Sequence, residues 1–162
     1  MARPIKANTQ SSRLKVITLG DESRTLMLPE SGATVIITSA ATAARTITLP
    51  KLSGVNGTNG AFYRLIWGVA TTAANWIITT NRAAELIRGT VMYYNTEDDN
   101  EGSNAMAQHV SDASVAGGDD NDRVITLSDD VFAGTTIELV SDGSHWYVAN
   151  SAIISDADPA FS

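Results

Sequence analysis

Two stretches of this chain carry the same sequence pattern, and this repeat constrains the fold more than any other feature. Residues 45–50 read RTITLP and residues 123–128 read RVITLS. After each copy, a glycine-containing turn leads into an alternating run, residues 62–67 in the first half and 136–140 in the second. Such a repeat predicts a chain built from related supersecondary units.

Each copy then continues with a polar residue, a tryptophan and another strand-like run. Residues 75–78 read NWII, and residues 145–148 read HWYV. The chain is therefore predicted to hold two copies of one β unit. Because neither copy contains the residues that chemistry needs, the repeat favours a scaffold that binds surfaces.

Alternation with a period of two predicts the fold class. β-branched residues dominate the alternating runs, and glycine, proline, asparagine and aspartate separate them. About ten short strands at this spacing are typical of a β-sandwich or barrel, and no segment keeps a helical period over three turns. The sequence predicts an all-β fold, either a sandwich or a jelly-roll-like barrel.

The polarity of the chain divides it into segments. We expect residues 1–13 to form an N-terminal arm, residues 14–154 a single β domain and residues 155–162 a polar tail. Residues 95–122 are predicted to be a long acidic loop, within which residues 104–110 form a short helix or a strand. Gly89, inside a strand-like run, is a candidate for a bulge.

Composition excludes several classes of function. The formal net charge of −7 argues against nucleic-acid binding, which needs a basic face against phosphate. The chain has no cysteine, and therefore no disulfide or thiolate metal site. No run approaches the roughly 20 apolar residues of a membrane span, and the first residues lack the apolar run of a signal peptide.

Residues of the types found in catalytic triads and metal sites are better explained by structural roles. Asp142, Ser144 and His145 are triad residue types, but the Asp142-Gly143 pair between two alternating runs predicts a hairpin turn. Only His109 and His145 are present, so a multi-histidine metal site is not available. We expect no catalytic residue, no metal ligand and no cofactor.

The remaining acidic and aromatic residues leave alternatives open. The carboxylates cluster in loops, except Glu85 and Glu138, which we expect to face solvent. Calcium binding at residues 97–102 or 119–122 is an alternative to a solvated loop, although the flanking helices and twelfth-position glutamate of a calcium-binding hand are missing. The three tryptophans are expected in the core, with sugar stacking as the alternative.

The N-terminal arm is basic on an otherwise acidic chain. It holds the predicted partner-binding residues, and no acid precedes Asp21. We expect the arm to order on an acidic surface of a coat protein or of an adjacent copy; the alternative is a frayed terminus. The predicted partner-binding residues are Arg3, Pro4, Ile5, Lys6 and Arg13.

The order of the strand-like segments in residues 35–149 resembles a known family. The chain is similar to the β-rich modules of tailed-phage structural proteins, above all the head decoration (cement) proteins. The segments that carry this resemblance are residues 47–50, 62–66, 76–80, 86–89 and 139–148.

The resemblance implies a homotrimer on the outer surface of a bacteriophage virion. Such a protein binds the major capsid protein and stabilises the capsid by clamping neighbouring coat subunits, without catalytic residues, nucleic acid or membrane. Similar modules occur in head and tail fibres, so a receptor- or glycan-binding fibre module is the alternative. A small β-fold hydrolase is a third hypothesis.

Overall fold

The chain folds as twelve strands in the residues that can be described. A computed structural model describes residues 15–52, 59–95, 106–111, 122–127, 131–155 and 160–161. These residues contain no α-helix, and one turn of 3₁₀ helix covers Leu28–Glu30. The strands are β1 (Val16–Leu19), β2 (Arg24–Thr25), β3 (Ala33–Ile37), β4 (Arg45–Thr48), β5 (Asn59–Trp67), β6 (Trp76–Thr79), β7 (Ile87–Asn95), β8 (Met106–Ser111), β9 (Val124–Leu127), β10 (Thr136–Asp142), β11 (Trp146–Ser155) and β12 (Ala160–Phe161).

The strands form two sheets that enclose one core. The large sheet has the order β1-β3-β5-β10-β11-β7-β8, and the small sheet has the order β12-β9-β6-β4-β2. Alternate residues of β3 and β10 are buried, as expected for strands with one face on a core. The core is a single cluster with side chains from both sheets. The predicted all-β class is confirmed, and the architecture is a sandwich.

The first six strands alternate between the two sheets, which gives parallel neighbours in both. β1, β3 and β5 lie side by side in the large sheet, and all of these pairs are parallel. β2, β4 and β6 do the same in the small sheet. Parallel neighbours need a crossover connection, and here each crossover is a strand of the opposite sheet. The chain therefore winds as three stacked coils, and this distinguishes it from an antiparallel jelly roll.

The strands after β8 complete the sandwich, and their pairs are antiparallel except for the parallel pair of β11 with β7. β10 lies between β5 and β11 and is antiparallel to both. β9 pairs antiparallel with β6 and is followed at the edge by β12. Two strands lie in regions that were predicted as loop and tail. β8 lies within the acidic segment, where a strand was one of two expectations, and β12 lies within residues 155–162.

The sequence repeat is preserved in the fold for two of its three strands. β4 and β9 both lie in the small sheet, and β5 and β10 are neighbours in the large sheet. The third strands separate, because β6 belongs to the small sheet whereas β11 belongs to the large one. The prediction of two full copies of one β unit is therefore wrong beyond the second strand.

A bulge interrupts the pairing of β11 with β7 and β10. The register between β10 and β11 shifts between Glu138 and Leu139, which leaves Ala149 of β11 unmatched. Buried positions of β11 consequently change phase, from Trp146 on one side of the bulge to Ser151 and Ile153 on the other. The pairing with β7 also breaks between Tyr147 and Ile153, opposite Gly89.

Gly89 occupies a backbone conformation that explains its presence in a strand. Its φ is +122°, and a Cβ atom there would lie 3.3 Å from the backbone nitrogen and oxygen of Val148. A side chain at this position is disfavoured by both the positive φ and the close approach of the two strands. The bulge expected at Gly89 lies opposite it, because the extra residue belongs to β11.

Candidate partner-binding edge

The sandwich is closed at one end and open at the other. At the closed end, β8 of the large sheet contacts β12 of the small sheet. At the other end lie β1 and β2, the strands of the first coil, and no described strand pairs with their outer sides. An unpaired strand edge is a ready template for another chain. We name the outer side of β1 the open edge, and residues 15–30 the first coil.

The register of β1 identifies which backbone groups face outward. The N–H of Thr34 donates to the carbonyl of Lys15 at 2.8 Å, and the N–H of Thr38 donates to the carbonyl of Leu19 at 2.8 Å. In a parallel pair, alternate residues of a strand bond to the same neighbour. The N–H and C=O groups of Val16 and Thr18 therefore point away from β3, toward the open edge.

Exposed apolar side chains concentrate in the first coil. Among the described residues, three large apolar side chains are exposed: Val16 at 53%, Met27 at 63% and Met92 at 37%. Two of the three, Val16 and Met27, belong to the first coil. Single exposed apolar residues are ordinary, but here two of them accompany an unpaired backbone edge, which is the combination that a binding strand would cover.

The outer face of the large sheet extends this apolar character inward from the edge. Thr18 is aligned with Ile36 of β3, and Ile36 with Ile66 of β5. Both isoleucines are half-buried and lie on the face away from the core. A chain placed on the open edge would find apolar side chains beside it, not a uniformly charged surface.

An ion pair fixes the turn between β1 and β2. The carboxylate of Asp21 accepts hydrogen bonds from the guanidinium of Arg45 at 2.6 Å and from the hydroxyl of Thr42 at 2.6 Å. These two partners hold the pKa of Asp21 well below its usual range. Because Arg45 begins β4, the pair joins the first coil to the second.

A second group of contacts fixes the 3₁₀ turn and Met27. Glu30 accepts from the guanidinium of Arg24 at 2.7 Å and from the N–H of Met27 at 2.9 Å. Burial alone would raise the pKa of Glu30, but the Met27 N–H and Arg24 outweigh it and lower the pKa. The phenol of Tyr63 donates to the carbonyl of Met27 at 2.6 Å, and burial raises the pKa of Tyr63 to about 12.

The start of β1 is anchored to the same turn. The ammonium of Lys15 donates to the carbonyl of Pro29 at 2.6 Å. The backbone of the open edge is thus positioned by contacts on its inner side and at both ends. It is preorganised, which reduces the ordering cost of binding a further strand.

The predicted partner-binding residues lie outside the described residues. This applies to Arg3, Pro4, Ile5, Lys6 and Arg13. Their segment joins the described fold at Lys15, beside the open edge. The acidic runs considered as calcium sites also lie outside, apart from Asp122, which is buried.

The Asp142 segment is a hairpin turn, as predicted. One carboxylate oxygen of Asp142 accepts from the N–H groups of Ser144 and His145, each at 2.7 Å, and the other accepts from the phenol of Tyr147 at 2.9 Å. The His145 N–H leads the interactions that lower the pKa of Asp142. Nδ1 of His145 accepts from the N–H of Leu86 at 3.3 Å, so both side chains support the backbone.

The expectation that Glu85 faces solvent is wrong, whereas Glu138 lies on the outer face of the large sheet. Glu85 is only 4% exposed, and its Oε1 accepts from the N–H of Leu52 at 2.8 Å. Glu138 is mostly covered and forms an ion pair with Arg64, directly across the β5–β10 pair. Sequence reasoning missed Glu85 because its partner lies 33 residues away along the chain.

All three tryptophans are in the core, as the sequence favoured. Trp67, Trp76 and Trp146 have no exposed surface. Trp67 of the large sheet meets Trp76 of the small sheet edge to face, with ring centroids 6.2 Å apart. Trp146 packs against Tyr63 at 5.9 Å. The tryptophans are therefore not available for stacking on a sugar.

The described surface also has a shallow apolar cavity of about 140 Å³ between β7 and β11, lined by residues including Met92, Tyr94 and Ile154. In the part of the chain that the structure describes, no group of three or more histidine and carboxylate side chains is placed to hold a metal ion. Within the same residues, no helix has the length and apolar character that a membrane crossing requires.

Comparison with known proteins adds no relative to this description. No family model, no curated protein and no solved structure matches the chain.

Proposed function

We propose that this protein is a non-enzymatic structural component of a phage virion. It binds the outer surface of the capsid as a homotrimer and stabilises the capsid by clamping neighbouring coat subunits. The observation that carries this proposal is the open edge. An unpaired strand, exposed Val16 and Met27 and the start of a basic segment come together at one end of the sandwich.

The roles of the ionisable side chains support a binding scaffold. Asp21, Glu30 and Glu138 form ion pairs that join neighbouring strands or brace a turn. Asp142 closes a hairpin turn. These groups are used to hold strands and turns in place, which is the arrangement expected where rigidity of a surface matters.

The class of partner comes from the resemblance of residues 35–149 to phage head decoration proteins. A receptor- or glycan-binding fibre module was the alternative, because similar modules occur in head and tail fibres. Exposed tryptophans that stack on a sugar would have supported it. Since Trp67, Trp76 and Trp146 are fully buried, that feature is lost and capsid binding is the function we propose.

Cosedimentation with undecorated capsids tests the proposal. The intact protein should pellet with capsids and raise the temperature at which they disassemble. Deletion of residues 2–12 should leave the circular-dichroism spectrum unchanged but weaken attachment. A protein that neither pellets with capsids nor protects them would refute the proposal.

Variants without the positive charges of the arm test, in the same assay, whether the arm contributes to capsid binding. Replacing Arg3 and Lys6 by alanine should weaken binding and reduce its dependence on salt. Each rim ion pair contributes only about 0–1 kcal/mol, but the effect multiplies over the copies of an oligomer that bind together. Lys51→Ala is the matched control, because Lys51 is an exposed lysine of the folded domain. Equal losses in both variants would mean that the arm has no specific role.

A further inference from the structure

Among the described residues, no strand lies on the outer side of β1. The outward N–H and C=O groups of Val16 and Thr18 have no partner among the described residues, while the inner side of β1 is fully engaged with β3. Addition of a strand from another chain to such an edge is a recurring mode of recognition. The question is which segment occupies it.

We propose that residues 1–14 of a neighbouring copy of this chain add as a strand to the open edge. This inference rests on the self-association in the proposed function and names the surfaces that carry it. Each copy would donate one segment and offer one edge. A head-to-tail interface forms a ring when its rotation closes, and closure after three copies gives the trimer.

The length and position of the segment favour this occupant. The segment ends at Lys15, where the described fold begins. Fourteen extended residues span about 46 Å, which is enough to cross to an adjacent molecule. Ile5 supplies an apolar side chain for the row that contains Thr18, Ile36 and Ile66.

The segment is poorly suited to fold back on its own edge. A return onto β1 requires a reversal just before Lys15, and tight hairpins need residues that accept positive φ, above all glycine. Residues 1–14 contain no glycine, and Asn8 is followed by Thr9. The sequence of residues 1–14 thus lacks the turn residues that such a return favours, which supports an occupant from a second molecule.

Charge favours the same pairing. The segment carries Arg3, Lys6 and Arg13 and no acidic residue. The whole chain has a formal net charge of −7, so the remainder of each molecule is more acidic still. Attraction between the segment and the body of a neighbour therefore assists assembly.

Cysteine cross-linking tests the exchange directly, because the chain has no cysteine of its own. One tagged chain carries a single cysteine in the segment, at Ile5→Cys, Ala7→Cys or Thr9→Cys, and these three positions sample the register. A second chain, with a different tag, carries Thr18→Cys. A disulfide forms only when the Cα atoms approach within about 4.4–6.8 Å. We expect oxidation of the mixed protein to join the two tags. Ser144→Cys, an exposed position in the β10–β11 turn, is the control and should not cross-link.

Two results would overturn the inference. One is a yield no greater than that of the Ser144→Cys control. The other is a disulfide confined to single chains when both substitutions are on the same molecule, which would assign the edge to the chain's own segment.

An edge variant gives an independent measurement. Val16→Pro removes an outward N–H but no hydrogen bond to β3, and proline is tolerated on edge strands. We expect light scattering to show its mass falling to that of a single chain, 17.1 kDa, with an unchanged circular-dichroism spectrum. Val16→Thr is the matched control and should stay oligomeric. An oligomeric Val16→Pro protein would contradict the inference.

These experiments use protein without capsids, so they separate the two proposals. Exchange between copies combined with no capsid binding would refute the proposed function alone. A protein that binds and stabilises capsids but is monomeric in solution, with no cross-link, would refute the exchange and count against the trimer, but would leave capsid binding standing.

Discussion

The hydrogen bond from Tyr63 to Met27 provides a test of how the first coil is held in place. Tyr63 is fully buried, and its phenol donates to the Met27 carbonyl at 2.6 Å. Replacing it by phenylalanine removes this donor, while the Met27 carbonyl keeps the hydrogen bond from the N–H of Glu30 at 2.7 Å. At pH 7, Tyr63→Phe should therefore lower the free energy of unfolding by about 1 kcal/mol.

The pH dependence of this difference is the more specific expectation. The pKa of Tyr63 is raised from 10.0 to about 12 by burial and by the charge of Glu30. A group with a raised folded-state pKa contributes stability that is complete below the unfolded pKa and is lost as pH rises toward the folded one. The intact protein should therefore lose about 2 kcal/mol between pH 10 and pH 12, whereas Tyr63→Phe should not lose this contribution.

The two proteins should consequently approach or exchange their order of stability near pH 12. Urea unfolding followed by circular dichroism at pH 7, 9, 11 and 12 measures this, and all other tyrosines cancel in the difference. Tyr147→Phe is a control at pH 7, where loss of its exposed hydrogen bond to Asp142 should cost under about 1 kcal/mol. A difference between the intact protein and Tyr63→Phe that stays constant from pH 9 to 12 would refute the reasoning.

Two further expectations concern the strand crossing and the acid limit of stability. Gly89→Ala should destabilise the fold by on the order of 2 kcal/mol in urea unfolding, because φ is +122° and the new Cβ would lie 3.3 Å from Val148. The control is Gly60→Ala, which has a positive φ but open space around the new Cβ and should cost about 1 kcal/mol. Equal losses of stability in the two variants would argue against an effect of the close approach at Gly89. Asp21 has a lowered pKa from its bond to Arg45, so its contribution is present above the unfolded pKa near 3.8 and is lost as pH falls below it. Asp21→Asn should flatten the decline of the melting temperature between pH 5 and 2, and parallel curves for the two proteins would contradict this.

The local patterns that the sequence predicted correctly depend on neighbouring residues. Alternation identified strands such as β3 and β10, because a period of two places every second side chain on the core. The Asp142-Gly143 pair identified the β10–β11 turn, because its hydrogen bonds lie within five residues. Gly89 marked an irregularity because its conformation is one that side chains rarely adopt.

The topology could not be read in the same way. An alternating strand has the same pattern whether its neighbour is parallel or antiparallel, and the turn at residues 20–23 carries the chain to the opposite sheet just as well as it would form a hairpin. The sequence repeat consequently predicted a third related strand, yet β6 and β11 lie in different sheets. Sheet membership depends on which partners are available after the whole chain has collapsed.

The candidate edge shows the same division. The sequence alone determined that this is a cysteine-free, acidic, all-β chain with a basic N-terminal segment, because composition and period are properties of the residues themselves. Only the tertiary structure decided that the backbone of Val16 and Thr18 faces a side of β1 where no described strand lies, and that Glu85 is buried against the backbone of Leu52. Exposure and pairing are relations between segments distant in sequence, so they are fixed by how the coils stack rather than by any local pattern.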